Sequence, residues 1–134
     1  MVKNVNLKFS KKINSNLDEY SKTIMDLQLI IQPQLIIKYN KIQKEKFLED
    51  IKTNLSFLSS AIRIDSKEVY LNYIKWLAKL MKKIKIPMEE LLISFKCMKQ
   101  VLNNELILED HFTVDEYIDE SIKKLIDIYE REEE

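Results

Sequence analysis

Glycine does not occur anywhere in the 134 residues of this chain. It is the residue that reaches positive φ without steric cost, and phosphate-cradling loops and primed hairpin turns depend on it. Walker-type loops, G-x-G-x-x-G nucleotide turns and G-x-S-x-G nucleophile elbows are therefore excluded by composition. Helices remain, joined by turns expected to need no left-handed residue. Cysteine and histidine occur once each, as Cys97 and His111. A lone cysteine forms no internal disulfide, which fits a reducing compartment, and two such ligands are too few for a structural zinc site. The Glu-x-x-His pair of helical di-iron sites is also missing, because Leu108 stands three residues before His111. No apolar run reaches the length of a membrane span: residues 27–37 are broken by Gln32, Pro33 and Gln34. Residues 1–14 hold lysines but no apolar signal core, and the expected location is cytoplasmic.

What the chain does have is 46% hydrophobic and 33% charged residues, enough for one core-forming domain of this length. Formal net charge is zero, yet residues 105–134 hold twelve acidic and three basic residues. The acidic tail and the basic remainder are expected to complement each other, within one chain or between two.

Helical periodicity dominates. Residues 1–14 are expected to be a mobile basic arm. A first helix is predicted over about 17–31, with Ser15 or Asn16 as N-cap; Pro33 interrupts it, and Leu35, Ile36 and Tyr39 then suggest a second short helix or a kinked continuation. Phe47, Leu48, Ile51, Leu55, Leu58 and Ile62 form one apolar stripe at threes and fours. Asp65 with Glu68 has capping-box spacing ahead of a helix that ends in Lys82 and Lys83. Pro87 suits the first position of the next helix, which is expected to fade near Asn103 and Asn104. After a linker, Thr113 with Glu116 opens a last amphipathic helix over 113–134, expected to pack on the 15–112 domain or on a partner. No period-2 alternation predicts a sheet. The expected fold is all-α: one domain of five or six helices with a protruding last helix.

Chemistry is sparse. His111 lies in a polar linker and reads as a solvated side chain. Cys97 has no histidine near it in sequence to activate it and reads as a packed thiol. Lys79, Lys82, Lys83 and Lys85 form the densest basic cluster, but no nucleic-acid motif accompanies them. The acidic last helix argues against an anionic membrane. No acid–base–nucleophile set can be assembled, so an enzyme is not expected. Two groups stand out. Tyr70, Tyr73 and Trp76 recur on one helix and could line a ligand pocket or anchor a partner, with Trp76 toward the edge. Ile118, Ile122, Leu125 and Tyr129 form a narrow seam of the kind that packs against one helix, and are expected to carry self-association.

The segment from Asp50 to Leu102 carries Leu55 to Arg63, Val69-Tyr70-x-x-Tyr73-x-x-Trp76, Leu80, Ile86-Pro87 and the Leu91, Leu92, Phe95 ladder. It resembles the globin-like N-terminal sensor domains of RsbR-type stressosome proteins. That resemblance implies a haem-free, globin-like homodimer in a signalling assembly, with 113–131 as the output helix and no cofactor. Similar segments precede some cobalamin-binding domains, but Ile86 and Pro87 stand where a Trp-x₉-Glu-His motif would end. The expected function is a stress-signalling sensory or scaffold domain acting through protein partners, without nucleic acid or membrane. The alternatives are a helical small-molecule or cofactor-binding domain, haem included, and a small adaptor that binds protein or DNA.

Overall fold

A computed structural model describes residues 4–106 and 108–131. The expectations for Met1 to Lys3 and for the acidic end Glu132 to Glu134 lie outside the described residues. Seven α-helices fill the described chain and no strand does: α1 Asn4–Ser15, α2 Leu17–Ile31, α3 Gln34–Lys38, α4 Lys41–Arg63, α5 Lys67–Lys83, α6 Met88–Glu105 and α7 Leu108–Glu130. No helix among them is long and apolar enough to cross a membrane.

The all-α expectation holds, with α1 as one helix beyond the five or six expected. Residues 4–14, read as part of a mobile arm, are helical and docked. Phe9 and Ile13 of α1 are buried, and the Ser10 and Ser59 hydroxyls meet at 2.9 Å to pin α1 on α4. Only two apolar residues of α1, Phe9 and Ile13, are seen on its inner face, too few to show as a period in a lysine-rich stretch. The short helix expected after Pro33 is α3, a single turn that sends Leu35 into the core.

The helices close on one another around a shared core. α4 packs on α1, α2 and α5; α7 packs on α5 and α6; and α2 completes the ring against α6. Leu55, Leu58 and Ile62 of α4, Tyr70 and Ile74 of α5, and Met98 and Leu102 of α6 meet Ile118 of α7 at its centre. The last helix therefore does not protrude. Glu116 pairs with Lys67 at 3.0 Å and Asp119 with Lys99 at 2.8 Å, so the acidic tail complements the basic body within one chain. Lys82 of α5 donates to the Ile128 and Arg131 carbonyls at 3.1 and 2.6 Å, satisfying acceptors that the end of α7 leaves open.

Two turns depart from expectation. Although glycine is absent, Asp65 and Lys85 take left-handed φ values of 57° and 65°. Each sits one residue past a helix C-cap in a Schellman arrangement: Ser66 N–H to Ala61 and Asp65 N–H to Ile62 after α4, Ile86 N–H to Met81 and Lys85 N–H to Lys82 after α5. Asp65 thus closes α4 instead of opening α5. The adjacent Ser66 is the N-cap, with its hydroxyl accepting from the Val69 N–H at 3.4 Å. At the start of α4, Asn40 and Gln43 form a reciprocal capping box that extends the helix before its apolar stripe begins. The last helix begins at Leu108, so Thr113 is interior to it and not its cap.

Candidate functional site

The three aromatic residues of α5 fall into different environments. Tyr70 faces the core and is wholly buried, with its hydroxyl donating to Asn54 of α4 at 2.5 Å. It lines no pocket. Tyr73, one turn later, is buried at the edge of the core, with its ring stacked on the more exposed Phe57 of α4, centroids 4.1 Å apart and planes 7° from parallel. Trp76 extends the array, 6.1 Å from Tyr73 and tilted by 32°, with 59% of its surface in water. Thr53, Val69 and Asn72 complete the walls of a shallow groove of about 450 Å³ between α4 and α5.

The helix period explains this division. Positions 70, 73, 74 and 77 are buried, and 69 and 76 turn toward solvent on the side that faces α4. The groove is mostly apolar, with the Thr53 hydroxyl and the Asn72 amide as its polar groups. Burial, joined by the charge of Asp50, pushes the Tyr73 hydroxyl well above the ordinary tyrosine range, so it is a neutral donor at any physiological pH. Phe57 and Thr53 were not anticipated. Phe57 stands off the apolar stripe of α4, and an aromatic residue out of phase with its own stripe was the available signal.

The seam expected to mediate self-association is occupied within the chain. Ile118 and Leu125 are buried, and Ile122 and Tyr129 pack half-buried against the same core. The Tyr129 hydroxyl donates to the Ile86 carbonyl at 2.7 Å. The partner of this narrow seam is the cleft between α5 and α6, which sequence periodicity does not distinguish from a second chain.

Cys97 is 1% exposed in the α6 core face, and burial pushes its thiol up to about 11. It has neither the access nor the ionisation that a reactive thiol needs. His111 lies near the start of α7, with Nε2 3.1 Å from the Leu106 carbonyl. Among the described residues no group of histidine, cysteine and carboxylates could hold a metal ion. A polar hollow of about 390 Å³ at the α1–α2 junction is lined by six consecutive residues, Asn14 to Glu19, and gathers no chemistry from elsewhere in the fold.

A comparison with protein families matches residues 4–125 to the family described as phycobilisome protein. No curated protein matches. The family match overturns the resemblance to RsbR-type sensor domains and, with it, the stress-signalling reading. That resemblance rested on aromatic and apolar spacing over about fifty residues, a pattern any packed helical bundle produces, whereas the match runs from α1 into α7.

Proposed function

We propose, from the premise that this chain belongs to the phycobilisome protein family, that it is a non-enzymatic helical unit that holds a flat, conjugated ligand without a covalent bond. The family points to chromophore-bearing, light-harvesting proteins of globin-like fold that assemble into oligomers. The cofactor-binding alternative is thus favoured over a signalling scaffold.

A bilin, the open-chain tetrapyrrole that the family implies, is joined to protein through an accessible thiolate. This chain does not fit that attachment. Its one cysteine, Cys97, is 1% exposed, protonated at neutral pH and on α6, whereas the aromatic groove lies between α4 and α5. No lysine or arginine lines the groove to meet the carboxylates of such a pigment.

The observation that carries the proposal is the array of Phe57, Tyr73 and Trp76. Two of its rings are already parallel, and the third is left mostly in water beside them. A planar conjugated molecule would gain stacking on Trp76 and apolar burial in the groove, with Asn72 and Thr53 available to orient a polar edge. Titration of the full chain with biliverdin and with an uncharged planar dye, followed through Trp76 emission and induced visible circular dichroism, tests it. Saturable quenching with induced dichroism, tighter for the uncharged dye than for biliverdin and abolished by Phe57→Ala, is the expected result. Signals absent for both probes, or unchanged in Phe57→Ala, would refute the assignment.

A further inference from the structure

We propose that the aromatic groove dissipates the excitation of the flat ligand it holds, with Trp76 lending an electron to the excited ligand and taking it back. This activity rests on the ligand reading above. It sets the groove apart from an antenna site, which passes its excitation on.

Of the three rings in the groove, only Trp76 can serve as the donor. Phe57 is 40% exposed, but an unsubstituted benzene ring is the hardest of the aromatic side chains to oxidise. Tyr73 is buried, and one face of its ring is covered by Phe57 at 4.1 Å. Trp76 has the most electron-rich ring of the three and leaves most of it in water on the groove wall. A ligand in the groove therefore meets the indole directly. Electron transfer between π systems falls off exponentially with distance, and at stacking contact it outruns emission. The ligand class this favours is an electron-poor conjugated heterocycle, whose excited state is a strong one-electron oxidant.

The rings behind Trp76 decide whether the hole stays there. Tyr73, Tyr70 and Tyr117 lead inward from it, with successive centroids 6.1, 6.4 and 6.3 Å apart. A phenol gives up an electron readily only when its proton can pass to a base at the same time. Tyr70 donates to the Asn54 amide oxygen, which is too weak a base to take the proton. The Tyr73 and Tyr117 hydroxyls make no hydrogen bond to a carboxylate or imidazole among the described residues. Burial holds all three phenols protonated well above neutral pH. The tyrosine that does meet a carboxylate is Tyr39, 2.5 Å from Glu90, and among the described residues it shares no ring contact with this array.

The hole is thus kept beside the reduced ligand, where return is fastest. One electron leaves the indole for the vacancy in the lower orbital of the excited ligand, giving an indole radical cation and a reduced ligand radical. The ligand's extra electron then returns to the indole, and the excitation leaves as heat. No bond forms, no proton moves, and both partners end as they began.

Lumiflavin, an uncharged isoalloxazine, tests this in the full chain through its induced circular dichroism and its fluorescence lifetime. Trp76→Phe keeps a ring for stacking and removes the donor. The bound lifetime is expected to be tenfold or more shorter than that of free dye. It should recover at least fivefold in Trp76→Phe while the dichroism persists. Transient absorption of the wild-type complex should show the indole and flavin radicals decaying together, with no lasting tyrosyl band. A bound lifetime like that of free dye, or one equally short in Trp76→Phe, would overturn the proposal and leave the binding site standing. So would a wild-type complex without the indole signal, whatever Trp76→Phe does to affinity. A persistent tyrosyl radical would overturn it as well, because the hole would then have moved inward. Absence of induced dichroism in the wild type would instead refute the ligand reading, and this activity with it.

Discussion

Tyr70 of α5 and Asn54 of α4 are joined by a 2.5 Å hydrogen bond from phenol to amide oxygen, and both residues are buried. It is a polar contact inside an apolar core, tying the two helices that form the aromatic groove. Tyr70→Phe removes the donor and leaves the Asn54 oxygen buried without it, at a cost of about 1–3 kcal/mol. Urea unfolding of Tyr70→Phe, Asn54→Leu and the double variant measures the pair. The double variant is expected to lose less than the two single losses added together.

Leu125 is expected to behave as a core residue. Leu125→Ala should lower unfolding stability by about 2–5 kcal/mol and leave the sedimentation of the folded protein unchanged. Full stability combined with a loss of association would return this seam to an intermolecular role.

Lys85 holds a left-handed backbone at φ 65°, where a side chain carries a steric penalty that glycine avoids. Lys85→Gly is expected to raise stability by about 0.5–1 kcal/mol after the entropic cost of glycine is deducted. Asp65→Gly should gain less, because aspartate tolerates this region better than lysine. Paired thermal melts check both.

Alkaline pH should weaken the fold through its buried thiol. Cys97 in the unfolded chain ionises near 9, whereas the native thiol holds its proton to about 11. The unfolded state sheds that proton first, so stability falls as pH rises from about 9 toward 11, and the effect is absent at neutral pH. Burial moves Tyr117 and Tyr129 to about 12, with the same sign above pH 10. Cys97→Ala should flatten the 9–11 portion of a stability–pH series. In the native protein the thiol should resist an aromatic disulfide reagent that modifies the denatured chain at once.

Trp76 contributes surface and little stability. Trp76→Ala is expected to cost less than about 1 kcal/mol, since most of the ring is in water. Ligand-induced dichroism should nevertheless fall with it. A large loss of stability would mean that the ring is a packing element and not an exposed platform.

Much of this protein was legible along the chain. Helix content, the inward faces of α4 to α7, the stop at Pro33 and the packed character of Cys97 follow from spacing and residue type. Those are local properties, set by the 3.6-residue period and the chemistry of single side chains. Whether an apolar stripe meets its own chain or another is not local, and Ile118, Ile122, Leu125 and Tyr129 read the same in either case. The tertiary structure decided it by closing α7 against α5 and α6, where the acids of α7 find lysines of the body. It also decided the site. Phe57 and Tyr73 are sixteen residues apart on different helices, and only the α4–α5 crossing stacks them. The left-handed turns at Asp65 and Lys85 follow the same logic, because favourable helix packing on both sides outweighs the local strain that residue type alone would have argued against.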